Sequence, residues 1–151
     1  MIRTIEVALS IPDNEARTAL RVLQRLGVPL HALERADVYR CDVADAAAEA
    51  LVATLRAAET VFNPNKHVMR VREAGEPAPG EVWIDELAPP REAPRGEVRI
   101  AGRTVAGLAS LERFTAWRLL AAPGVAAEPE VVARATETLL CNRAFQRATT
   151  V

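Results

Sequence analysis

The stretch "RTIEVALSIPDNEARTALRVLQRLGVP", residues 3–29, opens in one period and continues in another. Ile5, Val7 and Leu9 alternate with Thr4, Glu6 and Ala8, which is the pattern of a half-buried strand. Beyond Asp13 the apolar residues Ala16, Ala19, Leu20, Leu23 and Leu26 fall on one helical face. Asp13 is placed to cap the first amides, and Glu15 sits where the helix dipole favours an acid. Gly27 ends the helix and Pro29 forbids its resumption. A strand leading directly into a well-marked helix sets the class as α+β.

The same alternation of elements continues. "HALERADVYRCDV", residues 31–43, reads as a second strand with Tyr39, Cys41 and Val43 on one face and Arg40 and Asp42 on the other. Asp42 or Asp45 is positioned to cap a second helix, whose buried stripe is Ala48, Leu51, Val52, Leu55, Ala58 and Phe62. Asn63-Pro64 stops it, because residues before proline avoid helical geometry. "HVMRV" is a third strand with His67, Met69 and Val71 on one face and Val68, Arg70 and Arg72 on the other. The first 72 residues therefore read β-α-β-α-β. A ferredoxin-like sheet with helices on one face is expected, with Leu20, Leu23, Leu51, Leu55 and Phe62 in the core.

Residues 73–80, "EAGEPAPG", read as a linker. "EVWIDEL" is a strand, and Ala88 to Gly96 is a second proline-rich loop. "EVRIAGRTVAG" predicts a hairpin turning at Gly102-Arg103. Ser110 would cap a helix from Leu111 to about Ala122, ended by Pro123-Gly124. A last helix starts at Glu128-Pro129 and runs to about Phe145, and "RATTV" closes the chain as a short strand. Residues 81–151 are thus a strand, a hairpin and a two-helix extension. "AETVFNPNKHVMRV" and "TETLLCNRAFQRATTV" share Glu-Thr, an apolar pair, Asn, a basic residue and a terminal Val. They are either traces of a degenerate second unit or two helices that end alike in polar turns.

The order β-α-β-α-β, carried by residues 3–29, by "ALERADVYRCDV" and by the helix that ends in an Asn-Pro turn, resembles PurS. PurS is the small non-catalytic subunit of phosphoribosylformylglycinamidine synthase in purine biosynthesis. "LRAAETVF" is similar to the closing helix of the PurS-like N-terminal domain of the large single-chain synthases, which is a fused pair of such units. The resemblance implies an assembly role without chemistry: pairing through sheets and bridging synthase and glutaminase subunits. A stand-alone ligand-binding or regulatory domain for a small anionic metabolite is the alternative.

Composition narrows the rest. With 19 basic and 20 acidic residues the net charge is −1, so no overall field favours nucleic acid or a membrane surface. No apolar run reaches the roughly 20 residues of a membrane span, and a cytoplasmic location is expected. Cys41 and Cys141 match no metal or redox spacing and read as packed thiols. Cys41 with His31 or His67 is a poor nucleophile–base set, and Asp37, Asp42 and Asp45 are spaced for a strand end and a cap. No catalytic set, metal site or cofactor motif is identified.

The best binding candidate is Asn63, Asn65, Lys66, His67, Arg70 and Arg72, where cations could meet a phosphate or an acidic partner. The competing reading is a polar turn and a solvated strand edge. Arg91, Arg95, Arg99 and Arg103 read as scattered surface charge. Trp83 and Trp117 read as core anchors, with Trp83 an interface candidate if exposed. The hairpin strands around Ile100 and Val105 need a neighbour, which favours a homodimer over a second half folded back on the first.

Overall fold

The computed structural model describes residues 1–87 and 99–151. The first half holds β1 (Ile2–Leu9), α1 (Asn14–Arg25), β2 (Ala32–Val43), α2 (Ala48–Ala57) and β3 (His67–Arg72). The second holds β4 (Glu81–Glu86), β5 (Arg99–Ile100), β6 (Arg103–Thr104), β7 (Leu108–Ala122), β8 (Val125–Ala126), α3 (Pro129–Ala135) and β9 (Gln146–Thr149). A seven-stranded antiparallel sheet has the order β3-β1-β2-β7-β4-β9, with β8 on β7, and β5 pairs with β6 separately. The class is α+β.

Two compact units divide the described residues, and each draws on both halves of the chain. The first comprises Met1–Ile11, Asp37–Gly75 and 99–113. Its core joins Ile5, Val7, Tyr39, Cys41, Val43, Leu51 and Leu55 with Ile100, Val105 and Leu108. The neighbour that the hairpin needs is therefore supplied by this chain. The second comprises Pro12–Ala36, Glu76–Leu87 and Phe114–Val151. Its core joins Ala16, Leu23 and Leu33 with Val82, Ile84, Trp117, Leu119, Val132 and Ala135. Thus α1, from the first half, packs beside elements of the second, and the hairpin from the second half packs among elements of the first.

Local chemistry explains the ends of α1. Asp13 accepts from the amides of Glu15 (3.0 Å) and Ala16 (3.1 Å), and Gly27 takes φ +83° just beyond the helix. Leu23, Leu51 and Leu55 are buried as expected, whereas Leu20 and Phe62 are half-buried at the core margin. Trp83 is buried, with its ring 5.3 Å from that of Phe114, which removes it as an exposed anchor.

Several expectations are corrected. Leu111–Ala122 is not a helix but most of β7, and Ser110 caps nothing because it lies inside that strand. Leu, Ala, Arg and Glu favour helix, but Trp117 and Leu119 enter the core while β4 pairs along the strand, and tertiary pairing prevails over propensity. Among the described residues of the second half α3 is therefore the one α-helix, with Thr136–Leu140 extending it as a π turn that stops short of Phe145. The first unit's α2 ends at Ala57 rather than at Phe62, and neither Asp42 nor Asp45 caps it. The hairpin turns at Ala101-Gly102, one residue early, with φ of 48° and 77° at the two corners. The closing strand is found, at Gln146–Thr149. The proline-rich loop at 88–96, with Arg91 and Arg95, lies outside the described residues.

Candidate functional site

The turn from Asn63 to His67 is closed by its own polar groups. The Asn63 carbonyl accepts from Lys66 N–H (2.9 Å) and His67 N–H (2.8 Å). The Asn63 side-chain oxygen accepts from Asn65 N–H at 2.9 Å, and Asn63 N–H donates to His67 Nδ1 at 2.9 Å. Ser10 N–H then donates to the Lys66 carbonyl at 2.7 Å. Asn63 and His67 are therefore occupied in holding the turn, while Asn65 and Lys66 are exposed.

The β1–β3 register separates the remaining candidates. His67, Met69 and Val71 lie opposite Leu9, Val7 and Ile5, and Arg70 and Arg72 lie opposite Glu6 and Thr4. Successive side chains alternate between faces, so the two arginines project away from His67. The structure gathers Asn63, Asn65 and His67 into one turn and does not bring all six candidates to one surface.

The second unit contains the same turn. The Asn142 carbonyl accepts from Phe145 N–H (3.1 Å) and Gln146 N–H (2.8 Å). Its side-chain oxygen accepts from Ala144 N–H at 3.0 Å, and Asn142 N–H donates to Gln146 Oε1 at 2.8 Å. Leu87 N–H donates to the Phe145 carbonyl at 2.7 Å, as Ser10 does to Lys66. Gln146 supplies the acceptor that His67 supplies in the first unit.

A second set of contacts also recurs. In the second unit Arg35 lies 5.9 Å over the Trp117 ring and Arg118 pairs with Glu34 at 3.3 Å. In the first, Arg113 lies 6.0 Å over the Tyr39 ring and Arg40 pairs with Glu112 at 2.7 Å. The residues come from "LERADVYR" at 33–40 and "LERFTAWR" at 111–118, so positions 34, 35, 39 and 40 match 112, 113, 117 and 118. The sequence conceals this pair of motifs, because the later one has the composition of a helix. Their shared Leu-Glu-Arg and aromatic-Arg spacing was the available signal.

The first unit also carries a groove of about 550 Å³ beside β3. Ile5, Leu51, Val52 and Val71 give it apolar walls; Arg3, Arg56, Asp45 and Glu49 give it charge of both signs. Arg3 faces Glu73 at 3.6 Å, and among the described residues Arg56, Lys66 and Arg70 make no ion pair. As a group these residues have no signature in the sequence, since they come from β1, the turn before α2, α2 and β3 and meet only in the fold.

The cysteines separate by environment. Burial pushes the Cys41 thiol up to about 11, and its Sγ lies 3.8 Å from the Tyr39 carbonyl. A buried thiol held in its neutral form is not an activated nucleophile. Cys141 is half-buried and not paired with it.

Among the described residues, no helix is long and apolar enough to cross a membrane. Compared with protein-family models, curated proteins and solved structures, the chain has no match.

Proposed function

We propose that this chain is a non-catalytic assembly module of the PurS-like kind, carrying both members of the pair in one polypeptide. The observation that carries the reading is the repetition of "LERADVYR" contacts by "LERFTAWR", with the arginine–aromatic and Glu–Arg roles exchanged. Two copies of one motif that exchange partner residues reciprocally are what a duplicated pair predicts. In the reading, residues 1–72 are one ferredoxin-like repeat, 73–80 the linker and 81–151 the second repeat, in which the β5–β6 hairpin stands in the chain where α1 stands in the first. The strand order β3-β1-β2-β7-β4-β9 supports it, since β3, β1 and β2 correspond to β9, β4 and β7. The role is to hold synthase and glutaminase subunits together. Homodimer formation is then an additional level of assembly.

The alternative, a binding domain for a small anionic metabolite, draws on Arg3 and Arg56 at the groove. Asp45 and Glu49 on the same groove repel an anion, so the assembly reading is preferred. Co-elution of the purified chain with synthase and glutaminase subunits of phosphoribosylformylglycinamidine synthase tests it. A ternary complex with raised glutamine-dependent activity, and no turnover by the chain alone, is expected. No complex at micromolar concentrations, or glutaminase activity from the chain alone that one point mutation abolishes, overturns it.

A further inference from the structure

We propose that the β3 edge and the adjoining groove dock an extended peptide, which adds as a strand antiparallel to β3 and carries a basic, an apolar and an acidic residue at alternate positions. The Ser10–Lys66 bond fixes which backbone groups of β3 face β1. Bonded pairs alternate in an antiparallel ladder, so Val68, Arg70 and Arg72 face Ala8, Glu6 and Thr4. Met69 and Val71 then turn their N–H and C=O groups away from β1. The sheet order ends at β3, and among the described residues no hydrogen bond reaches those groups. An open edge of this kind is a template for another strand.

The groove supplies what the ladder cannot, which is side-chain selection. Val71 is 47% exposed and lines it, on the same face as Ile5. A strand added beside Val71 places every second side chain between β3 and α2. The charges on the helical wall are ordered along the chain: Asp45 in the short turn before α2, Glu49 in the helix's first turn, Val52 next and Arg56 in its last turn, while Arg3 from β1 is paired with Glu73. The chain reverses between α2 and β3, so a strand antiparallel to β3 runs with α2. It meets the acids first, the apolar wall next and Arg56 last. Seven helical residues from Glu49 to Arg56 span about 10 Å, and four strand residues from base to acid span about 13 Å. A second copy is a poorer occupant, because its own edge strands read "HVMRVR" and "QRAT" and neither carries the acid that would meet Arg56.

The test uses the full chain, isotope-labelled for amide NMR, and two synthetic peptides, acetyl-Ser-Lys-Ser-Val-Ser-Glu-Ser-amide and its Lys/Glu-exchanged form. Saturable shifts at the Met69 and Val71 amides are expected, with affinity about tenfold higher for the Lys-first peptide. Arg56→Glu should reverse the preference. Val71→Pro removes an outward donor without touching the ladder to β1, and should weaken binding about tenfold. Neither peptide moving those amides overturns the proposal. So does a response to inorganic phosphate alone, which marks an anion site, or a shift with protein concentration alone, which marks a second copy. The experiment contains no synthase or glutaminase, so it succeeds or fails apart from the PurS-like reading.

Discussion

The Arg35 guanidinium lies 5.9 Å from the centre of the Trp117 ring, and the same arginine pairs with Asp13 at 3.1 Å and with Glu15. One cation therefore joins the N-cap of α1 to an aromatic residue of β7. Its counterpart, Arg113 over Tyr39, pairs with Asp37 at 3.2 Å but leaves most of its side chain in water. Stacking strengthens as a cation loses solvent.

Arg35→Met should therefore destabilise by about 1–2 kcal/mol, and Arg113→Met by less than about 1 kcal/mol. Urea unfolding of both variants checks the order. A double-mutant cycle of Arg35→Met with Trp117→Leu should show coupling of about 0.5 kcal/mol or more. Strict additivity would mean that the stack is geometric coincidence.

Legibility followed the strength of the local marks. Asp13 and Gly27 bracket α1 in the sequence and do the same in space. The alternation of Ile5 and Val7 survives because their face is a core face. β7 was illegible because apolar residues occupy both its faces: Trp117 and Leu119 on one, Phe114 and Ala116 on the other. Such a strand has no period-2 signal and reads as helix. The Asn63 turn was legible as a turn. That its donors and acceptors are spent on one another is a matter of geometry which composition does not carry. The β3 groove was invisible for a different reason: it assembles residues as far apart as Arg3 and Val71.

Leu55 is fully buried against the first unit's core. Leu55→Ala should cost about 2–5 kcal/mol, the usual range when a buried leucine leaves a cavity. Val68, 44% exposed, is the control, and Val68→Thr should stay within about 0.5 kcal/mol. Equal losses for the two in chemical denaturation would contradict the packing described.

The pH dependence of stability should carry a signature of Cys41. Its folded value, about 11, lies above the ordinary 9.0, because burial disfavours the thiolate. The unfolded chain therefore gives up its proton first as pH rises. The stabilisation is fully present below about 9 and is lost between about 9 and 11. Cys41→Val removes the titrating group, so the variant should lose less stability than the parent across that window. Parallel pH profiles for the two proteins would show that Cys41 is solvated in the folded state.

The paired turns offer the most direct comparison between the units. Asn63 and Asn142 make the same bonds, and each side-chain oxygen accepts from an amide two residues on. Substituting alanine removes that acceptor and leaves the Asn65 or Ala144 N–H to water. Both amides are exposed, so each loss is a net hydrogen bond rather than a buried unsatisfied donor. Asn63→Ala and Asn142→Ala should each cost about 0.5–1.5 kcal/mol. The two turns share no residue and belong to different compact units, so the double variant should lose the sum of the single losses. Thermal and urea unfolding of the three variants measure this. A marked shortfall from additivity would mean that one turn already senses the other. A cost confined to Asn63 would mean that the Asn142 turn is held by Gln146 and the β4–β9 ladder without its asparagine side chain.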